Sequence, residues 1–394
     1  MATLMSYFAP PIAGEWGDEA EDNTDGVPVL RTTNFTADGR LSYDDLTYRS
    51  IDTEKKENKI LQLGDIIIEK SGGTPKKPVG RCVYFDRDDE YDYFCSNFTA
   101  ILRANTEEVN TKYLWYILQE HYKTRQCLKY QYKTNGIANL DIKDYLNHKE
   151  VELPPKEVQD KRVKAMDYSQ YLLDLHQELL DIMDNAVKSR FIEMFGGNKY
   201  PVQKIGNVAK LQGGYAFKSK DYIDGGIPLV QITNVSKSTL IWEEYNCVPT
   251  EYLERYEDFC LQAGDIVMAM TRPVIKSLDA VKVAMLNDND TPCLLNQRVG
   301  RFKIDTDQLN PIYLMTICQM AEFKQYVELM SGNSLQPNIS SKQVEDYEII
   351  LPPLDVQNQF AAFVALTDKS KLTIQKSMDN LQELRDSLLQ EYFG

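Results

Sequence analysis

Two stretches of the chain, VELPPKEVQ at 151–159 and IILPPLDVQ at 349–357, carry the same pattern 198 residues apart. Proline fixes φ and lacks an N–H, so a Pro-Pro pair suits the start of a helix, where the first N–H groups have no intrahelical partner. After the first pair no Gly or Pro occurs from Glu157 to Met194, and Phe-Gly pairs at 195–196 and 393–394 close the two segments at the same offset. Each stretch therefore predicts a helix of about 38 residues, about 57 Å long. Leu172, Leu175, Leu179, Ile182 and Ala186 fall at steps of three and four, as do Ile374, Met378, Leu381, Leu388 and Tyr392 with Arg385 in one place. That is a heptad seam, and neither helix can bury its seam alone.

The repetition extends backward from the prolines. GVPVLRTTNF at 26–35 matches GIPLVQITNV at 226–235, LQLGDIII from Leu61 matches LQAGDIVM from Leu261, and Tyr113-Leu114 recurs at Tyr313-Leu314. These three segments share one register, so the chain is an internal duplication. Short β-branched runs at 27–30, 66–68, 227–232 and 266–268, bounded by Gly, Asp or Asn, predict strands. Apolar residues at mixed three and four spacing predict a short helix over 111–122 and another over 311–326. The fold class expected is α+β, with two similar mixed α/β domains at 1–152 and 198–350. Long helices at 153–197 and 351–394 pack as an antiparallel coiled coil with a pseudo-two-fold axis.

Composition is that of a globular chain: 394 residues, 43% hydrophobic and 26% charged. No run of about 18 apolar residues occurs, and the first residues turn acidic, which points to a soluble cytoplasmic protein. Seven cysteines stand singly and there are three histidines, so neither a zinc site nor a disulfide framework is supported. The net charge of −15 opposes DNA binding on its own, because non-specific affinity comes largely from Lys and Arg on phosphates.

Taken in order, the Gly-(Val/Ile)-Pro segments, the Gly-Asp-Ile turns at 64–66 and 264–266, the Leu-Pro-Pro-x-x-Val-Gln elements and the helices ending in Phe-Gly resemble the specificity subunit of type I restriction-modification systems. The resemblance covers essentially the whole chain. It implies two target recognition domains, each reading half of a bipartite double-stranded DNA target. It also implies helices that recruit two methyltransferase subunits and, in the full complex, two restriction/translocase subunits. S-adenosylmethionine would belong to the methyltransferase partners, and this chain would hold no cofactor. The openings of the halves depart from one another, GEWGDEAEDNTDG against LQGGYAFKSKDYIDGG.

Base edges are read chiefly by Arg, Lys, Asn and Gln, and phosphates by Lys, Arg, hydroxyls and N–H groups. The most basic loop of the first half supplies Lys70, Ser71, Gly72, Gly73, Thr74, Lys76, Lys77 and Arg81; the alternative is a solvated hairpin tip. It has no Gly-Lys-Ser/Thr ending and so is not a phosphate loop. Thr271, Arg272 and Lys276 stand in the equivalent place. A second pair of candidate segments holds Tyr130, Tyr132, Lys133 and Asn135, and Asn333, Ser334 and Gln336; the tyrosines can equally line a strand face. Arg31, Thr33, Asn34, Gln231, Thr233 and Asn234 follow, the two Asn with turn capping as the alternative. Gln212, Tyr215 and Lys218 complete the set, with a core role as the alternative for Tyr215. On the helices, Leu172, Leu179, Met183, Phe191, Met378, Leu384 and Leu388 are the candidate partner-binding residues.

No Asn/Asp-Pro-Pro-Tyr/Phe element accompanies the prolines, and no carboxylate-lysine cluster or nucleophilic triad stands out. The expectation is a non-catalytic reading subunit; the rival is a coiled-coil adaptor that binds only proteins.

Overall fold

The computed structural model describes the chain except residues 21–25, 75–76, 105–108, 198, 276–278 and 333–335. It divides into two compact units, one made of Met1–His176 with Lys376–Gly394 and the other of Gln177–Gln375.

In the first unit the elements that position the loops are β1 (Ile12–Ala13), β2 (Val27–Leu30), β3 (Ile66–Glu69), β4 (Ser71–Gly72), β5 (Cys82–Tyr84), β6 (Phe94–Cys95), β7 (Thr99–Leu102), α1 (Thr111–Lys123), β8 (Gln131–Thr134), β9 (Ile137–Leu140) and the long helix α2 (Lys156–Phe195). The second unit contains the end of α2, then β10 (Ala209–Gly213), β11 (Ile227–Val230), β12 (Ile266–Ala269), β13 (Val283–Met285), β14 (Cys293–Leu295), β15 (Val299–Ile304), α3 (Pro311–Gln319), α4 (Ala321–Ser331) and the start of α5 (Leu354–Phe393).

Each unit is built on a four-stranded antiparallel sheet, ordered β1-β7-β3-β5 in the first and β10-β15-β12-β13 in the second. Their central strands are apolar on both faces because both faces are covered. Ile66 and Ile68 join one core while Ile67 joins another, and Ile266 and Met268 face one core while Val267 and Ala269 face a second. A parallel pairing recurs as well, Val29 with Phe94 and Leu30 with Cys95, then Leu229 with Leu294 and Val230 with Leu295.

The two openings, dissimilar in composition, make the same backbone contacts. Gly14 N–H donates to Thr99 O and Glu15 N–H to Cys95 O; Gly214 and Tyr215 donate likewise to Val299 O and Leu295 O. A Cβ at Gly14 would lie 2.1 Å from Ser96 O, and one at Gly214 would lie 2.1 Å from Asn296 O. Only glycine fits either place.

The helices α2 and α5 each span 40 residues, about 60 Å. Within the first unit they run antiparallel: Arg162 Nη1 donates to Tyr392 O at 3.1 Å, and His176 is hydrogen-bonded to Ser377 at 3.1 Å. Within the second, Phe191 meets Phe360 at 5.6 Å between centroids, and Lys371 Nζ donates to Asp184 at 2.8 Å. The terminal phenylalanines exchange partners: Phe393 lies 4.7 Å from Tyr113, and Phe195 lies 4.8 Å from Tyr313.

A buried glutamine fastens each helix to its head. Gln159 Nε2 donates to Pro154 O at 2.8 Å, and its Oε1 accepts from Asn110 N–H at 3.0 Å. Gln357 repeats this with Pro352 O at 2.8 Å and Asn310 N–H at 2.9 Å, and adds Gln308 O. Asn110 and Asn310 in turn cap α1 and α3, accepting from the N–H groups two and three residues on.

Two expectations change. The heptad frame leaves Leu175, Leu179 and Ile182 exposed, whereas the first turns of α2 bury Gln159, Val163, Met166 and Ser169. The helix over 111–122 is present as α1, but the one expected over 311–326 breaks at Met320, whose extended backbone (φ −74°, ψ 151°) ends α3 and starts α4.

Truncating Gln357, itself fully buried, to Ala removes the partner of the Asn310 N–H and of two carbonyls, so unfolding free energy should fall by about 1–3 kcal/mol. A denaturant titration checks this; an unchanged midpoint would mean the clasp contributes nothing.

Candidate nucleic-acid interface

In the first unit the chain leaves β3 at Lys70 and pairs at once, as β4, with the hairpin β8–β9. Lys70 O accepts from Leu140 N–H at 2.8 Å, and Ser71 Oγ donates to Asn139 Oδ1 at 2.7 Å. The hairpin turns on Asn135 (φ 50°) and Gly136 (φ 81°), the left-handed pair that a two-residue turn demands. The two segments singled out by loop chemistry thus meet in one small sheet, through Ser71–Gly72 of the first and Gln131–Thr134 of the second. Tyr132, Lys133, Asn135, Gly73, Thr74 and Lys77 are exposed on it, while Ser71 and Gly72 are half-buried. Thr74 and Lys77 close their turn through Thr74 N–H to Lys77 O at 2.7 Å. Lys76 lies outside the described residues.

The second unit repeats the junction with less of a sheet. Thr271 Oγ1 donates to Asn338 Oδ1, Arg272 N–H donates to Pro337 O at 2.8 Å, and Ile339 N–H donates to Met270 O at 2.9 Å. Thr271 is buried there, whereas Arg272 (φ 48°) and Gln336 are exposed. Lys276, Asn333 and Ser334 fall outside the described residues.

Several candidates serve the frame instead. Asn34 and Asn234 are 2% and 0% exposed. Asn34 Oδ1 accepts from Arg31 N–H, and its Nδ2 donates to Ser42 O and Asp45 O. Asn234 does the same with Gln231, Ile241 and Glu244. Every polar atom of these amides is engaged in holding a turn, as capping required. Arg81 is bound to both oxygens of Glu69 and to Thr32 O, and Lys282 Nζ donates to the matching Ile232 O. Gln212 links the buried Arg301 to Asp258 O, and Arg301 also meets Asp265 at 3.1 Å.

Tyr130 is buried, 5.5 Å from Tyr145, whose hydroxyl is 2.9 Å from His121 Nδ1. Tyr215 lies against Tyr256 at 4.5 Å and keeps an exposed edge, and Lys218 is exposed. Beside the buried Asn34 and Asn234, Thr33 and Thr233 are exposed. Arg31 is half-buried and paired with Asp45 at 3.0 Å, and Gln231 accepts from Asn246 Nδ2 at 2.8 Å.

Residues not foreseen are those of the 96–98 and 296–298 tips. Asn97, Phe98, Gln297 and Arg298 are exposed, beside the same Lys70 and Met270 junctions, to which Phe98 O and Arg298 O are hydrogen-bonded. Their shared position after β6 and β14, 200 residues apart, was the available signal.

On the helices, Leu179 and Leu384 are exposed, and Leu172, Met183 and Met378 are half-buried. Phe191 stacks on Tyr313 at 5.5 Å and Leu388 packs against the first unit's core, so these two are internal. Tyr168, Tyr171 and Leu175 in the first unit, and Ile182, Ile192, Leu366 and Leu372 in the second, are exposed apolar residues on the same helices. Among the described residues no group of His, Cys, Asp or Glu is arranged to hold a metal, and no helix is long and apolar enough to cross a membrane.

With this geometry in place, the family model described as type I restriction modification DNA specificity domain matches twice, at 13–182 and 198–384. The chain belongs to this family. The type I restriction enzyme MjaVIII specificity subunit of Methanocaldococcus jannaschii is 28% identical over 301 residues, covering 72% of this chain and 67% of that protein. A solved type I restriction-modification S subunit from M. genitalium superposes with a TM-score of 0.54 at 15% identity, covering 100% of this chain and 95% of that one. A chain from a structure on complex assembly and conformational transition of the type I R-M system gives 0.56 at 15% identity, covering 100% and 96%. As a specificity subunit with two recognition domains, the chain carries its duplicated loops on the frame the family shares; the adaptor alternative is not supported.

Burial lowers the His121 pKa from the ordinary 6.5 to about 4, so it is neutral beside Tyr145. The unfolded chain then binds the extra proton at higher pH, and stability should fall as pH drops from about 6.5 to about 4. Thermal midpoints measured across that window should flatten in His121→Gln; an equally steep profile in the variant would assign the acid sensitivity elsewhere.

Proposed function

We propose that the domains at 1–152 and 198–350 each read one half of a bipartite target, through the β4–β8–β9 face with the 96–98 tip and through the 271–272, 296–298 and 336 loops. The long helices at 153–197 and 351–394 recruit two methyltransferase subunits and, in the full complex, two restriction/translocase subunits, in the cytoplasm. The observation that carries this reading is the duplication itself: the same buried contacts hold differing exposed side chains at matched places. The chain contributes no catalytic group; S-adenosylmethionine chemistry belongs to the methyltransferase partners. Leu179, Leu384, Tyr168, Tyr171 and Leu372 supply apolar surface for helices of those partners.

The acidic total is compatible with this division of labour. Local charge at the loops steers them, and partner subunits supply phosphate contacts that a chain of charge −15 lacks.

Reconstitution with the cognate methyltransferase, followed by mapping of methylated positions, should yield a two-part consensus. Exchanging residues 1–152 for those of another family member should change one part only. Methylation without any two-part consensus would contradict the proposal. Replacing Lys77 and Lys133 by Ala should weaken binding across all sequences and lower the salt slope by about one for each phosphate no longer neutralised; unchanged slopes would remove them from the interface.

A further inference from the structure

Matched positions of the two halves divide into those that are the same residue and those that are not. Gly14 and Gly214, Asn34 and Asn234, Asp65 and Asp265, Asn110 and Asn310, and Gln159 and Gln357 are identical, and each makes a buried or capping contact. Other matched positions differ, Arg31 against Gln231 and Asn97-Phe98 against Gln297-Arg298 beside the shared Thr33 and Thr233, and in the second unit they border a site. In the second unit an open polar cleft of about 560 Å³ is lined by Gln231, Thr233, Asn246, Asn296 and Arg298 among others, with the Glu244 carboxylate also on its wall. Asn296 is 4% exposed, and its Oδ1 has no hydrogen-bond partner among the described residues.

The bond from Asn246 Nδ2 to Gln231 Oε1, 2.8 Å long, sets the two amides in a fixed relation. The remaining groups are the Gln231 Nε2 donor and the Asn246 Oδ1 acceptor, neither of which is hydrogen-bonded among the described residues. A donor beside an acceptor complements the major-groove edge of adenine, whose N7 accepts and whose N6 donates. The backbone on both sides is locked: Gln231 N–H is held by Asn234, and Asn246 O accepts from Leu229 N–H at 2.9 Å. A preset pair of this kind gives up little rotamer freedom on binding.

Resting on the reading of this domain as a DNA reader, we infer that the Gln231–Asn246 amide pair selects an adenine in the second half of the target. The first unit cannot make the same choice. Arg31 stands at the place of Gln231, and Thr47, which pairs with Val29 as Asn246 does with Leu229, stands at the place of Asn246. Arg31 is tied to Asp45 instead. The two halves of the target therefore differ at this step. Arg298, with φ +70° at the rim, brings a charge for a phosphate.

The test is methylation of a randomised DNA library by the reconstituted complex, comparing the unaltered chain with Gln231→Ala, Asn246→Ala, Gln231→Glu and Arg298→Ala. The alanine variants should each reduce, by about tenfold to a hundredfold, the preference for adenine at one and the same position of the second half, with the first half intact. Gln231→Glu keeps the shape and the bond from Asn246 but turns the donor into an acceptor, so it should also reject adenine there. Arg298→Ala should lower methylation evenly across sequences. An unchanged consensus, a relaxed position in the first half, or an even decrease in the Gln231 and Asn246 variants would overturn the inference. Retention of the first-half requirement by each variant reports that the complex is folded. If the unaltered chain gave no two-part consensus, the failure would lie with the reading of the domain as a DNA reader.

Discussion

A side-chain amide, buried on the first turn of each long helix, ties three things at once. Gln159 and Gln357 bond the carbonyl of the first proline of their Pro-Pro pair and the N–H of the asparagine that caps the short head helix. The direction in which a 40-residue helix leaves its head is thereby set by one residue, and an error there would grow along about 60 Å of helix. Removing such an amide costs more than the bond is worth wherever a partner left behind stays buried. The prolines, the glutamine and the capping asparagine work as a unit, which is why the same spacing occurs in both halves.

Around this frame, buried positions are matched between the halves. Buried amides, the Asp65–Arg103 and Asp265–Arg301 pairs and the close-approach glycines hold loop ends in matched positions. Arg103 and Arg301 reach their carboxylates from different positions, one just past the end of β7 and the other within the equivalent strand β15, so the pair is kept while its donor has moved. The halves diverge at the exposed tips, Asn97-Phe98 against Gln297-Arg298, and at the half-buried Arg31 against Gln231. A reader of two unlike half-sites needs this pattern, since groups facing base edges specify and the rest position.

Much of this was legible in the residues. The duplication, the helix bounds set by Pro-Pro and Phe-Gly, and the strands at 27–30, 66–68, 227–230 and 266–269 all follow from local rules. What periodicity could not give was which side of a helix meets its own head. Leu175, Leu179 and Ile182 read as a seam yet are exposed, while Gln159 and Ser169, polar by type, are buried. The polar loop residues split for a similar reason. Asn34 and Asn234 sit in runs rich in hydrogen-bonding groups, but only the fold brings Ser42, Asp45, Ile241 and Glu244 to their amides. Tyr130 is drawn inside by Tyr145, while Tyr132, two residues on, stays exposed on the free hairpin.

The central claim is that two heads of one chain engage two separate stretches of duplex. Hydroxyl-radical footprinting of the reconstituted methyltransferase complex on its own target measures this directly. Two protected patches at a fixed separation are expected, with substitutions in the 70–77 and 131–135 loops thinning one patch and leaving the other. A single patch, or two that weaken together whichever head is altered, would contradict the claim.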